Sequence, residues 1–390
     1  MRIAVPREIT PGERRVALTP DMVARLIKGG HAISIQTGAG ESAGFADAAY
    51  AAVGATMVRE PAALYRDADA ILKVQRPIWS FAAEASEAEL YRQGAVLIAF
   101  LKPGTDAGAL DKLAARGVTA LAMELVPRIS RAQSMDALSS QATIAGYKAA
   151  LLAANALPKF FPMLMTAAGT IRPAKVLVIG AGVAGLQAIA TAKRLGAVVE
   201  AFDTRPAVEE QVKSLGAKFV SLELESHDAE DAGGYAKALS ADHLRREMDL
   251  IARHVSEADA VITTAQIPGR PAPVLITQET LGAMRPGSVI VDLAAESGGN
   301  CEASQPGRTE VVKGVTVMAP LNLPSELAVH ASQMYARNVT SLVELIAPKG
   351  TLNIDMNDEI IRGACVTHAG QVLYPPGRPA SAPSQPGAAK

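Results

Sequence analysis

The sequence predicts an α/β chain of two domains, each a mostly parallel sheet flanked by helices. Three observations predict it. The chain has 390 residues, which exceeds the usual size of one domain. Short apolar runs alternate with helical patterns along most of its length, and that alternation calls for parallel strands joined by right-handed crossovers. The composition is 49% hydrophobic and 20% charged but only 4% aromatic. Ala, Gly and Val therefore fill the layers, which suits tight α/β packing and not an aromatic-rich β-sandwich.

The first third carries strand patterns at Ile3–Val5, Ile33–Gln36, Ala70–Val74, Val96–Phe100 and Thr119–Met123. Each is rich in Val, Ile or Ala and bounded by Gly, Asp or Pro. Helical patterns lie between them at Pro20–Lys28, Ala46–Val53 and Ala107–Ala115. Gly29, Gly54 and Gly117 follow these helices, as a left-handed cap requires. The stretch from Arg128 to Ser140 is polar and aperiodic, so it reads as a loop and a functional candidate. A helix is expected from Gln141 to Ala156 and crosses into a second domain. That domain begins near Lys175 with the buried strand Val176–Ile179. Further strands are expected at Val198–Phe202, Lys218–Ser221, Ala260–Thr263, Ser288–Asp292 and Thr316–Met318, with helices at Ala184–Leu195, Val208–Leu215 and Gln278–Met284. Between Glu223 and Arg246 the pattern fails, and Gly233-Gly234 followed by Tyr235 reads as a hinged, mobile loop. From about Ser325 to Leu345 a helix returns to the first domain. The expected division is 1–137 with 329–378, then 138–328, with a disordered tail at 379–390.

Several function classes are excluded. The 38 basic residues nearly cancel the 39 acidic ones without a basic run, so no nucleic acid is expected as partner. Cys301 and Cys365 form no metal-spaced pair, and no His, Cys and carboxylate set has ligand spacing, so no metal is expected. The cysteine usage and the lack of a signal peptide suggest a reducing cytosol. Pro158, Lys159 and Pro162 interrupt the apolar stretch from Ala149 to Thr170, so no membrane span is expected.

The chemistry begins at Gly180-Ala181-Gly182-Val183-Ala184-Gly185. An apolar strand runs into Gly180, a helical pattern leaves from Gly185, and a second apolar strand ends in Asp203, eighteen residues beyond the third glycine. These are the three contexts that give a GxGxxG its meaning. Gly180 permits the turn, Gly182 lets a pyrophosphate approach the backbone, and Gly185 lets the helix pack on the sheet. Val183 precedes and Ala184 starts the helix whose N-terminus faces the phosphates. Asp203, with Thr204 beside it, can accept from both ribose hydroxyls and repels a 2′-phosphate, which favours NAD. Arg205 leaves the NADP alternative open. Each domain is thus expected to be Rossmann-like, with a cleft between them.

The chain resembles the soluble NAD(H)-binding component (domain I, the alpha-1 subunit) of the proton-translocating nicotinamide nucleotide transhydrogenases, and more distantly alanine dehydrogenase. The similarity runs from Arg2-Ile3-Ala4-Val5-Pro6-Arg7-Glu8 to about Tyr374. Its strongest match is Pro127-Arg128-Ile129-Ser130-Arg131-Ala132-Gln133-Ser134-Met135-Asp136, continuing to Gln141, which resembles the loop around the nicotinamide. Asp231 to Lys237 resembles the mobile loop that closes over the nucleotide, and places Gly234 and Tyr235 at the site. Val291 to Asn300 is a third match. Thr263 to Gly269 is a fourth, putting Ala265 and Gln266 near the adenosine, although Gln266 stands where an apolar residue is usual.

The resemblance implies a Re/Si-specific, proton-translocating NAD(P)+ transhydrogenase. NADH bound here passes a hydride to a nucleotide in the NADP(H) site of a separate component, and a membrane-spanning component couples the transfer to proton movement. It implies a homodimer in the cytoplasm, attached to the inner membrane through partner subunits. Arg128 and Asp136 would fix the nicotinamide, Ser139 would add a hydrogen bond, and Gln133 could reach the other nucleotide's ribose. Other readings stand beside these. Arg128 and Asp136 could be an ordinary ion pair, Tyr235 a solvated loop residue, and Ser139 a helix cap.

Two rival functions remain. In an alanine dehydrogenase, Arg15 and Lys73 would bind a keto acid, but Lys102 and Glu296 stand at the positions of that family's catalytic His and Asp. A lysine is a poor proton shuttle near neutral pH. The other rival is a non-catalytic NAD-binding regulator, which would not need the polar loop at 128–136.

Overall fold

The computed structural model describes residues 1–81, 84–221, 241–267 and 270–375. It divides into two compact units, Met1–Gln141 with Ser325–Lys390, and Ala142–Pro324. Gly234, Tyr235 and the expected tail lie outside the described residues.

Among the described residues, the first unit is built on an eight-stranded sheet. Its order is Gln371–Val372, Cys365–His368, Thr119–Ala122, Val96–Ala99, Ala70–Leu72, Arg2–Val5, Ala32–Gln36 and Thr56–Val58. The six strands from the first 122 residues pair in parallel, and the two C-terminal strands add an antiparallel edge. The parallel strands read as unbroken apolar runs because both faces are covered. Ile3, Val5, Leu72 and Ile98 enter one core, while Ala4, Ile71, Leu97 and Ala99 enter the other. The helix Ala328–Ile346 lies against the first of these cores through Tyr335, Val339, Leu342, Val343 and Ile346.

Among the described residues of the second unit, a seven-stranded sheet has the order Lys218–Val220, Val198–Phe202, Lys175–Ile179, Ala260–Thr263, Val289–Asp292, Val315–Met318 and Thr309–Val312. All neighbours are parallel except the last pair. Again alternate residues serve two cores, Val176 and Val178 on one side, Leu177 and Ile179 on the other. Each unit is therefore a doubly wound, Rossmann-like sheet. In both, the strand order reverses beside the first strand of the large sheet, Arg2–Val5 in one unit and Lys175–Ile179 in the other.

Several segments depart from the sequence expectation. The 130–135 stretch is a 3-10 helix, Ser130–Met135, and the helix after it starts at Ala137 and ends at Ala156. Asp136 supplies its N-terminal cap, accepting from the Ser139 amide at 2.8 Å and the Ser139 hydroxyl at 2.6 Å. The helix Ala241–Glu257 occupies ground expected to be patternless. It buries Glu247, Ile251 and Val255, a stripe at helical spacing that its dense charge disguises. The apolar stretch after Ala149 turns into a small hairpin, Leu164–Thr166 with Gly169–Ile171. Among the described residues no helix is long and apolar enough to cross a membrane.

Candidate nucleotide site

In an open α/β sheet, ligands collect outside the carboxyl ends of strands where the strand order reverses. In the second unit that point lies between Lys175–Ile179 and Ala260–Thr263. Gly180 follows the first strand and Thr264 the second, and the Thr264 hydroxyl donates to the Gly180 carbonyl at 3.0 Å.

The three glycines do three different jobs. Gly180 sits at φ +95°, where a side chain is strained, and a Cβ there would meet Thr264 Oγ1 at 2.5 Å. A Cβ on Gly185 would lie 1.8 Å from the Gly180 carbonyl oxygen, so the helix Val183–Arg194 touches the strand end through bare backbone. A Cβ on Gly182 would meet nothing within 4 Å. That open space stands at the helix N-terminus, beside the exposed Val183, and suits a diphosphate. Sequence reasoning missed a fourth glycine. Gly146, within Ala137–Ala156, would place a Cβ 2.0 Å from the Ala184 carbonyl oxygen. This helix therefore packs directly on the backbone of the phosphate loop.

Asp203 ends the strand Val198–Phe202 with a side chain only 7% exposed. Its Oδ2 accepts from the Ala181 amide at 2.7 Å, and so ties the strand tip to the glycine loop. Arg205 forks onto the same carboxylate, Nε to Oδ1 and Nη2 to Oδ2, both at 2.9 Å. The cation is thus engaged by Asp203. Thr204 is half-buried between them.

A third loop is fixed by a hub to which sequence reasoning assigned no task. Asp292 is fully buried. Its Oδ1 accepts from the Thr263 hydroxyl and the Ala294 amide, both at 2.9 Å. Its Oδ2 accepts from the Asn300 and Cys301 amides at 2.8 and 3.0 Å and the Ser304 hydroxyl at 2.6 Å. Asn300 in turn accepts from the Ala265 amide at 3.0 Å and donates to the Ala265 carbonyl at 2.8 Å. Gln266 is exposed and donates to the Leu293 carbonyl at 3.0 Å. Asp292 thereby holds the Ala265–Gln266 loop through Asn300.

In the first unit, the helix Ala328–Ile346 positions the polar stretch. The Asn338 amide donates to the Ser134 carbonyl at 2.8 Å, and its Oδ1 accepts from the Ser140 hydroxyl at 2.7 Å. Arg128, Ser130 and Gln133 are exposed, and Ile129, Asp136 and Ser139 are half-buried. Arg131 forks onto Asp358 at 2.6 and 2.9 Å, a bond that serves the fold. Asp136, not Ser139, is the capping residue.

The crossover point of the first unit holds buried charge. Lys73 is fully buried, with its ammonium 2.8 Å from Glu87 Oε1 and 3.4 Å from Glu8 Oε2. Burial opposes that charge, but Glu8 and Glu87 outweigh it and hold the Lys73 ammonium above its ordinary range. Arg15 bonds Glu13 at 2.6 and 2.8 Å and Gln141 at 2.8 Å. Burial alone would raise the Glu13 carboxyl, yet the Arg15 and Gln75 hydrogen bonds bring it down to about 2. Lys102 is exposed, at φ +47°, and its turn is held by Glu124, which accepts the Leu101 amide at 2.8 Å. Glu296 is exposed and accepts the Asn322 amide at 3.1 Å.

Residues 4–145 match the alanine dehydrogenase/PNT N-terminal domain, and residues 149–375 match the alanine dehydrogenase/PNT C-terminal domain. The chain belongs to the alanine dehydrogenase/PNT family. Within it, the chain is similar to NAD(P) transhydrogenase subunit alpha of Cereibacter sphaeroides, at 48% identity over 380 residues, 96% of this chain and 72% of that one. It is likewise similar to a shorter NAD(P) transhydrogenase alpha chain of Rhodospirillum rubrum, at 47% identity over 378 residues, 96% of this chain and 98% of that one. The solved structure of a transhydrogenase from Sinorhizobium meliloti superposes with a TM-score of 0.86 at 44% identity, covering 95% of this chain and 100% of that one. A solved L-alanine dehydrogenase superposes with a TM-score of 0.80 at 28% identity, covering 96% and 97%.

Proposed function

We propose that this chain is the NAD(H)-binding subunit of a proton-translocating transhydrogenase. The observation that carries the reading is the phosphate loop. Its first and third glycines are forced by contact, its second faces open space, and Asp203 closes the loop at the strand tip. The likeness over nearly the whole chain to relatives named as NAD(P) transhydrogenase alpha subunits supports the rest. In this reading, NADP(H) is bound on a partner component, and a membrane-spanning component carries the protons. The chain is a homodimer on the cytoplasmic side of the inner membrane.

When bound, NADH supplies the hydride. The chain's residues bind, orient and exclude water, because transfer between two nicotinamides needs no acid or base. Gly180, Gly182, Val183, Ala184 and Gly185 receive the pyrophosphate. Asp203 and Arg205 take the adenosine ribose, where a carboxylate repels a 2′-phosphate. Arg128, with Ile129 and Ser130 beside it, and Asp136 with Ser139 orient the nicotinamide. Gln133 reaches toward the second nucleotide, and Gly234 and Tyr235 belong to the loop that covers the first.

The alanine dehydrogenase reading fits less well. Arg15 and Lys73 already face Glu13, Glu8 and Glu87, and Lys102 replaces the histidine that would shuttle a proton. Purified chain is given NADH with pyruvate and ammonia, then NADH and NADP+ with an NADP-binding transhydrogenase component. Turnover is expected only in the second mixture. Turnover in the first overturns the proposal, and tight NADH binding without turnover in either points to a regulator.

A further inference from the structure

A glycine inside a helix weakens it relative to alanine, because it gives up more backbone freedom on folding. Gly146 stands midway along the helix Ala137–Ala156 and is buried. An alanine there would serve the helix better unless space forbids it. Space does forbid it. A Cβ on Gly146 would lie 2.0 Å from the Ala184 carbonyl oxygen, 2.8 Å from its carbonyl carbon and 3.0 Å from its Cα. All three atoms are backbone, so no flexible side-chain end can give way. Gly146 and Ala184 both belong to the second unit. Ala184 lies in the first turn of the helix Val183–Arg194, whose N-terminal amides are assigned to the diphosphate. Further along, the two helices share one core, Ala149, Ala150 and Ala153 with Ala188, Ile189 and Ala192. Val183 is exposed and Ala184 half-buried, so a wedge at position 146 displaces this end of the helix first.

We propose that Gly146 is a positioning residue for the nucleotide. By letting the helix Ala137–Ala156 touch bare backbone, it sets where the first turn of Val183–Arg194 stands, and hence where its amides meet the diphosphate. This deepens the nucleotide reading and rests on it. A methyl at position 146 must gain about 1 Å to reach the 3.0 Å below which real Cβ contacts essentially do not occur. An N–H···O bond tolerates only about 2.7–3.2 Å, so a shift of that size takes the amides out of reach. The loss falls on ligands that carry the diphosphate. Adenosine has a base and a ribose but no phosphate, and it keeps its contacts at the Asp203 strand tip.

The test titrates the full chain with NADH and with adenosine, using wild type, Gly146→Ala and Ala150→Val. Trimethylamine N-oxide is present throughout, because this osmolyte favours the compact state and restores the folded fraction. Ala150 is fully buried one turn further along the same helix, so Ala150→Val reports what overpacking alone does. Gly146→Ala is expected to bind NADH at least about tenfold more weakly while adenosine stays within about twofold of wild type. Ala150→Val is expected to leave the ratio of the two affinities within about twofold of wild type. Gly146→Ala that binds NADH like wild type, that loses NADH and adenosine alike, or that binds neither, overturns the proposal. So does an Ala150→Val ratio shifted as far as that of Gly146→Ala. Wild type that binds no NADH overturns the underlying reading instead.

Discussion

Gly182 and Gly185 stand three residues apart in one loop, yet their alanine variants should fail in opposite ways. In Gly185→Ala, the new Cβ would lie 1.8 Å from the Gly180 carbonyl oxygen, against the 3.0 Å below which real Cβ contacts essentially do not occur. The helix Val183–Arg194 must retreat by about 1.2 Å from a strand that is hydrogen-bonded on both sides. Such overpacking costs about 3 kcal/mol or more. For a unit of this size that lowers the melting temperature by about 6–12 °C. In Gly182→Ala, the Cβ meets nothing within 4 Å, and the backbone at φ −74°, ψ −168° accepts alanine. Losing a glycine N-cap and stiffening the unfolded chain roughly cancel, leaving stability within about 1 kcal/mol of wild type. The methyl instead fills the space assigned to the diphosphate, so NADH affinity should fall at least about tenfold. Thermal melts and NADH titrations on both variants give the answer. A Gly182→Ala protein that binds NADH like wild type, or a Gly185→Ala protein that melts like wild type, refutes the division of labour.

Three more outcomes follow. Glu13, held down to about 2 by Arg15 and Gln75 against the cost of burial, contributes stability that is present above the ordinary carboxylate pKa of 4.5 and lost as pH falls toward 2. Glu13→Gln should flatten that acid limb in melts run from pH 6 downward, by about 3 kcal/mol at most. Asp292→Asn sets an amide against donors from Asn300, Cys301 and Ser304. A loss of about 3 kcal/mol or more is expected, read as the urea midpoint, and NADH binding weakens with it. Gln133→Leu should lower hydride transfer to the partner nucleotide at least about tenfold while leaving NADH affinity in a direct titration nearly unchanged.

Much of the architecture was legible because it follows from local rules. Unbroken apolar runs such as Val176–Ile179 read as strands covered on both faces, and Pro20–Lys28 appears with the limits that its proline start and glycine exit predict, although the left-handed residue is Gly30, at φ +88°, and not Gly29, at φ −75°. The loop Gly180–Gly185 was readable because each glycine's task is steric and local. The misses are tertiary. The strand Cys365–His368 is too short to announce itself, and it exists because the edge of Thr119–Ala122 accepts it. The helix Ala241–Glu257 hides its stripe of Glu247, Ile251 and Val255 among charges. At the site, Asp203 was readable, but its fork with Arg205 was not, since the sequence places the two side by side without saying whether the cation turns toward the carboxylate. The segment from Val291 to Asn300 contained the hub, yet Asp292 takes partners from as far as Thr263 and Ser304, which no local pattern encodes. Gly146 was passed over because a glycine inside a helix carries no signal until the backbone it touches is known.

The central claim is direct hydride transfer from a nucleotide held here to one held elsewhere. NADH deuterated at the transferring position of its nicotinamide C4, mixed with this chain, NADP+ and the NADP-binding component, tests it most directly. Direct transfer yields NADPH carrying the deuterium, with none exchanged into water. NADPH formed without the label, or label lost to solvent, would contradict it.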